Sequence, residues 1–248
     1  MKLAVCIACY NEENYIAKTL KSLANQSDLD FRIYLCDNNS TDESVSIAKR
    51  VASELNLDLI VIPEVQKGTG AAADTAFRAA IADGYQILAR TDADAIVDSF
   101  WVAIVRRNFD KYPESLIGGF TMPIESEVSP ARRNLIIFVT MVAIFFGVFR
   151  PSNYGGGKRG LYIMAQGNNL AIDRDTYLKA GGFRRVKIEE MHEDRALVND
   201  VRSNGGKVRM VWSMRVQVSV RRVQAWGLRN TLKWYANHSY RGENVDIR

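Results

Sequence analysis

The first 95 residues alternate between two apolar patterns, and that alternation leaves few folds open. Leu3–Cys9 is a short apolar run that reads as a strand, and residues 15–23 carry Ile16, Leu20 and Leu23 at helical spacing. Residues 31–36 read as the next strand. Residues 42–55 read as the next helix, with Val45, Ile47, Ala48, Val51 and Leu55 on its apolar side. Residues 59–62 form a third strand stopped by Pro63, and residues 71–82 an alanine-rich helix closed by Asp83-Gly84. Residues 86–89 are a fourth strand that runs into Arg90-Thr91-Asp92-Ala93-Asp94. Such repetition predicts an α/β fold: a Rossmann-like, mostly parallel sheet with helices on both faces and ligands beyond the carboxyl ends of the strands.

The loops after those strands therefore carry the chemistry. The first, Ala8-Cys9-Tyr10-Asn11-Glu12-Glu13, is neither G-x-G-x-x-G nor a P-loop, which removes the main support for a nicotinamide-binding domain. The second is Asp37-Asn38-Asn39-Ser40-Thr41-Asp42, in which Ser40, Thr41 or Asp42 can cap the following helix. The fourth strand ends in Asp92-Ala93-Asp94. Turn and capping chemistry accounts for any one of these loops. Three in register make a ligand site the better explanation. Carboxylates at i and i+2 beyond a strand end can both approach one hard cation that bridges to phosphate oxygens. Such a cation neutralises charge growing on a departing nucleoside diphosphate.

Together with Gly167-Asn168-Asn169-Leu170-Ala171, Gly181-Gly182-Phe183 and Glu193-Asp194, these motifs resemble those of the family-2 glycosyltransferases, in the family's order. The resemblance covers residues 2 to about 200. It implies a GT-A fold, a nucleotide-diphosphate sugar donor (a UDP- or GDP-sugar), a divalent metal (Mg²⁺ or Mn²⁺) and inversion at the anomeric carbon. Carried onto this chain, the family pattern puts Ala8, Tyr10 and Glu12 against the nucleoside and Asp37 against the base or ribose. It makes Asp92 a contact of the ribose or of metal-bound water, Asp94 the metal ligand and Asp194 the catalytic base. Ala8 stands where the family often has Pro, and Asn38-Asn39 where it often has Asp-Gly, so the nucleobase stays open. The family's polysaccharide synthases carry Q-x-x-R-W; Arg221-Arg222-Val223-Gln224-Ala225-Trp226 does not match, and transfer of a single sugar is the reading.

Asp194 also has a case of its own. Glu193-Asp194 precedes Ala196-Leu197-Val198 at a helix start, where the dipole favours carboxylates, and a base must sit within reach of the attacking hydroxyl. Glu193 or Arg195 would fix its surroundings, and His192 is the rival base. The same pair also reads as helix N-terminal electrostatics with a local ion pair. In Lys67-Gly68-Thr69-Gly70, Lys67 is either near the nucleotide or part of a tight strand-to-helix turn. Residues 154–160 are either a lid with Lys158 or Arg159 facing phosphate or a surface loop. Asn168 and Asn169 either bind sugar hydroxyls or are buried turn amides.

Residues 135–149 carry no charge and no clear polar face. Fifteen helical residues reach only about 22 Å, short of a hydrocarbon core. The segment is therefore expected either to be a buried helix or to dip into one leaflet beside a lipid-linked acceptor. The stretch 221–241, with Trp226, Trp234, Tyr235 and Tyr240 among Arg and Lys, suits an interfacial helix. The expected organisation is one domain over 1–248: a nucleotide-sugar-binding half (1–95), an acceptor-side half (96–220) and a basic aromatic helix (221–248). Cys6 and Cys9 spell C-x-x-C inside a strand, where residues three apart face opposite ways, so a buried, reduced pair is expected rather than a redox or zinc site. Met1-Lys2 before a short apolar run does not read as a signal peptide, so a cytoplasmic protein is expected, and segments 135–149 and 221–241 suggest that it works at the inner face of the plasma membrane. The net charge of +5 favours an anionic partner, but no nucleic-acid motif accompanies it. A sugar-1-phosphate nucleotidyltransferase would need a Gly-rich basic first loop. A non-catalytic binding module would have little reason to keep Asp92, Asp94 and Asp194 together.

Overall fold

The computed structural model describes residues 1–154, 157–158, 160–186 and 191–237. Four parallel strands, β1 (Leu3–Cys9), β2 (Phe31–Asp37), β3 (Leu59–Pro63) and β4 (Ile87–Asp92), stand in the order β3-β2-β1-β4. Helices α1 (Ile16–Ala24), α2 (Ser44–Glu54) and α3 (Thr69–Ala82) carry the chain between them. Because β1 is covered on both faces, its side chains are apolar throughout. Leu3, Val5, Ile7 and Cys9 pack with α1 and α2, while Ala4 and Cys6 pack with Ala72, Ala73 and Ala76 of α3. Cys6 and Cys9 thus lie on opposite faces as free thiols, and burial pushes Cys9 up to about 12.

The second half departs from the parallel pattern. It comprises β5 (Ala95–Val97), α4 (Trp101–Lys111), β6 (Ser115–Pro123), α5 (Pro130–Phe149), β7 (Asn169–Asp173), α6 (Arg174–Lys179), α7 (Glu193–Ser203), β8 (Lys207–Val218) and α8 (Arg221–Asn237). Strand β7 runs antiparallel to β4 and β6, β8 runs parallel to β6, and β5 runs antiparallel to β8. The result is one eight-stranded mixed sheet.

Asn169 locks this half together. Its side-chain oxygen accepts from Trp101 Nε1 at 2.9 Å, and its nitrogen donates to the carbonyls of Phe120 (3.1 Å) and Met214 (3.0 Å). The amide is fully buried. Of the two readings of Asn169, the buried amide is the one seen: its oxygen and its nitrogen are both engaged inside the fold.

Two further expectations change. Helix α5 starts five residues earlier than hydropathy suggests, because Ser129 accepts from the Arg132 N–H and Pro130 occupies the first turn. Its 20 residues reach about 30 Å. None of them is buried, and Phe138, Phe145 and Phe149 are 65%, 60% and 64% exposed, so the buried-helix alternative falls. Among the described residues, α5 is the helix long and apolar enough to cross a membrane. In α8 the indoles turn inward instead of outward. Trp226 and Trp234 are buried with ring centroids 6.2 Å apart, and the Arg222 guanidinium lies 4.4 Å from the Trp234 ring. Gly227, at φ 74°, breaks the helix between them, a conformation that favours glycine. The side chain of Tyr235, and Tyr240 altogether, lie outside the described residues.

Candidate active site

The loops after β1, β2 and β3 are stitched to one another before any ligand is considered. The Asn11 N–H donates to Ser40 Oγ and its side-chain oxygen accepts from the Thr41 N–H at 2.8 Å. Asp42 accepts from the N–H groups of Glu13 and Ser44. Asn38 donates to the carbonyls of Glu64 (2.9 Å) and Gln66 (2.8 Å) and accepts from the Gly68 N–H. Asn11 and Asn39 adopt positive φ, which Asn tolerates better than most residues. Much of the amide chemistry in these motifs therefore builds the rim of the site.

The rim encloses a cavity of about 960 Å³. Ala8, Tyr10 and Glu12 line it from the first loop, and Asp92 and Asp94 from the end of β4. Asn168, Glu193 and Asp194 line it as well. Eight of the residues that the sequence singles out thus share one wall system. Asp37 and Lys67 are not among the lining residues: Asp37 accepts from the Ser40 N–H, and Lys67 is exposed in the turn ahead of α3. Parts of segment 154–160, including Arg159, lie outside the described residues.

Two arginines that the motifs do not contain organise the carboxylates. Arg221, the first residue of α8, donates through both terminal nitrogens to Glu12, one of them at 2.6 Å, and stands 3.4 Å from Asp94. Arg90, in β4, donates to Glu193 at 3.1 Å and stands 3.4 Å from Asp92. Burial raises the Asp94 carboxyl to about 7, with Arg221 opposing and Glu12 and Asp92 adding to the rise. Burial likewise raises Glu12 and Asp92. Asp194 accepts from the Gly167 N–H (3.1 Å) and the Arg195 N–H (2.6 Å). Burial still raises its pKa, a shift that Arg90 and these two N–H groups oppose. His192 packs edge-on against Trp234, with ring centroids 5.7 Å apart.

A divalent cation fits this arrangement in one way. Among the described residues no group of three or more His, Cys, Asp or Glu side chains is placed to hold a metal by itself. Asp94 supplies hard oxygen at the cavity wall, and a cationic guanidinium already rests against it. Mg²⁺ keeps water and phosphate ligands and needs only one or two carboxylates. Asp94 is suited to a metal that arrives with a phosphate-bearing ligand, not to a standing protein cage.

The opposite side of the cavity is apolar. Ile136, Thr140, Ala143 and Gly147 recur at helical spacing on α5 and face the cavity. Phe138 and Phe145 are not among the lining residues and are exposed. One continuous cavity thus has carboxylates on one wall and a hydrocarbon surface on the other.

Comparison with known proteins agrees with this geometry. The model of the family described as "Glycosyl transferase family 2" matches residues 4–174. The poly(ribitol-phosphate) beta-N-acetylglucosaminyltransferase TarS of Staphylococcus aureus is 32% identical over 82 residues, which are 32% of this chain and 14% of TarS. Chondroitin synthase of Escherichia coli is 26% identical over 207 residues, 74% of this chain and 27% of that protein. The chain spans less than a third of the length of either relative. Among solved structures, TarS 1–349 in complex with UDP-GlcNAc aligns with TM-score 0.65 and 16% identity over 88% of this chain and 58% of that one. The mannosyltransferase PcManGT of Pyrobaculum calidifontis, in complex with GDP-Man and Mn²⁺, aligns with TM-score 0.68 and 18% identity, over 96% and 62%.

The raised Asp94 pKa has a stability consequence when no divalent metal is present. Its folded-state value of about 7 lies above the ordinary carboxylate range near 4, so the folded protein keeps a proton that the unfolded chain has released. Stability linked to Asp94 is therefore full at low pH and is lost as pH rises from about 4 to about 7. In chelator, the melting temperature of Asp94→Asn should gain on that of the wild type as pH rises from 5 to 7 and run parallel to it above. A difference that stays constant across the range contradicts this account of the carboxyl.

Proposed function

Because the chain belongs to glycosyl transferase family 2 and has the GT-A fold, we propose that it moves one sugar from a nucleotide-diphosphate sugar to an acceptor hydroxyl by a single, inverting displacement. The observation that carries this reading is that Asp94 and Asp194 share one cavity although they are 100 positions apart in sequence. Ala8, Tyr10, Glu12 and Asp92 would hold the nucleoside diphosphate at the carboxyl end of the parallel strands. Both UDP- and GDP-sugars are candidate donors, since UDP-GlcNAc and GDP-Man occupy structures of similar fold. A divalent cation on Asp94 would offset the charge of the departing diphosphate.

Asp194 takes the acceptor proton in this reading. Burial makes its carboxylate more basic than an exposed one, which improves proton abstraction near neutral pH. The N–H groups of Gly167 and Arg195 meanwhile hold its two oxygens in fixed directions. The acceptor would approach from the α5 side, and the hydrocarbon surface there favours one with an apolar portion, as in lipid-linked glycan synthesis. The exposed Phe138 and Phe145 would rest in the adjoining leaflet, with Arg132 and Arg133 near the headgroups at one end and Arg150 at the other. Arg133 is paired with Glu125 at 2.7 Å, so that end is partly neutralised.

Two experiments test the reading. Asp194→Asn should keep donor affinity by calorimetry and lose transfer by about 10²-fold or more, whereas Asp94→Asn should lose metal-dependent donor binding. Full turnover by Asp194→Asn, or unchanged metal dependence in Asp94→Asn, removes the corresponding role. In liposome flotation, the wild type should float with anionic vesicles more weakly as salt rises, and the folded Phe138→Glu/Phe145→Glu variant should not float. A wild type that stays at the bottom of the gradient returns the acceptor to a soluble compound.

A further inference from the structure

Arg90 lies two residues before Asp92 in β4 and is 1% exposed, among the largest fully buried side chains of the protein. A lone buried cation costs several kcal/mol unless its surroundings compensate it. Here the compensation comes from both sides of the cavity. Its Nη2 donates to Glu193 Oε1 on α7 at 3.1 Å and stands 3.4 Å from Asp92 Oδ1 on its own strand. The guanidinium carbon stands 5.1 Å from the centroid of the Phe183 ring. Over it passes Gly167, where a Cβ would come within 2.9–3.1 Å of Nη2, Cζ and Nη1. The N–H of this same Gly167 holds Asp194 Oδ2. One guanidinium therefore touches the metal-motif strand, the start of the helix that bears Asp194, and the loop that donates to Asp194.

The hydrogen bonding is incomplete in an informative way. Arg90 Nε and Nη1 are buried without a hydrogen-bond partner among the described residues. Burying donors unsatisfied costs stability, so stability alone is a poor reason for an arginine at this position. An apolar side chain in β4 with an apolar partner on α7 would fill the same space at lower cost. What the arginine supplies instead is geometry: one terminal nitrogen meets carboxylates on two elements, and it is carried on a rigid plane that lies against Gly167 and near the Phe183 ring, a packing that a lysine ammonium does not reproduce.

We propose that Arg90 is a positioning residue for glycosyl transfer, a buried strut that sets helix α7 at a fixed distance from the end of β4. Asp194 is thereby held in register with the donor phosphates beside Asp94. The inference rests on the reading of Asp194 as the base. Register matters because a misplacement of about 1 Å at a reacting group can cost 10²-fold in rate.

The test compares Arg90→Lys, Arg90→Met and Arg90→Met/Glu193→Met with the wild type and with Asp194→Asn. The probes are UDP-GlcNAc and GDP-mannose with Mn²⁺. The readouts are nucleotide release, donor affinity by calorimetry, and melting temperature. Arg90→Met alone leaves Glu193 buried and unpaired and is expected to melt early. The double variant removes both partners and should regain most of the lost melting temperature. It should keep donor affinity within about threefold and yet turn over about 10²-fold more slowly. Arg90→Lys should keep donor KM and recover part of that kcat, and it serves as the test variant if the double variant does not fold. Wild-type kcat in the folded double variant, or in Arg90→Lys, overturns the strut; so does a loss of donor affinity as large as the loss of kcat/KM. Full turnover by Asp194→Asn would instead remove the base reading on which the strut rests. An inactive Asp194→Asn beside a fully active double variant removes the strut alone.

Discussion

Carboxylates gathered in one partly dehydrated cavity repel one another, and the site holds together because two guanidinium groups sit among them. Arg221 clamps Glu12 and faces Asp94; Arg90 joins Asp92 to Glu193. Burial raises Glu12, Asp92, Asp94 and Asp194 alike, so in the ligand-free protein these carboxyls hold protons more readily than exposed ones do. A cation taken up with the ligand would favour their ionised forms. The two arginines also connect distant parts of the chain. Arg221 anchors the start of α8 to the first loop, and Arg90 anchors the start of α7 to the central sheet.

Sequence legibility follows the range of the interactions involved. Strands β1 to β4 and the helices between them were readable because their apolar periods are local, and β1 spans the expected residues. Asp92, Asp94, Glu12 and Asp194 were readable as a set because strand ends in a parallel sheet converge and because α7 begins at Glu193. Arg90 and Arg221 were not, since their partners lie 103 and 209 positions away and no local pattern marks them. Asn169 shows the same limit from the other side. It looks like an amide offered to a sugar until Trp101, Phe120 and Met214, from three other parts of the chain, close on it. Helix α5 was misjudged for a different reason. Hydropathy stops at the charged Arg132 and Arg133, whereas the helix begins where its capping signal, Ser129-Pro130, stands in plain view.

Helix α5 gives the molecule its asymmetry. Its cavity-facing side is mostly apolar, and on its outer side Phe138 and Phe145 are exposed in the described structure. A soluble enzyme seldom leaves an apolar surface of this kind in water without a use for it. The inward-turned indoles of α8 shift the weight of any membrane contact onto α5, since Trp226 and Trp234 stabilise the C-terminal helix against the protein rather than reaching outward.

The central claim is that this cavity binds a nucleotide sugar and activates it with the help of a divalent cation. Incubation of the protein with a panel of UDP- and GDP-sugars, with nucleotide release followed in Mg²⁺, in Mn²⁺ and in chelator, tests it most directly. The account predicts release of one nucleotide, dependent on divalent metal and accelerated by a lipid-linked hydroxyl acceptor. Nucleotide release from no member of the panel under any of these conditions, by a protein that is folded, would contradict it.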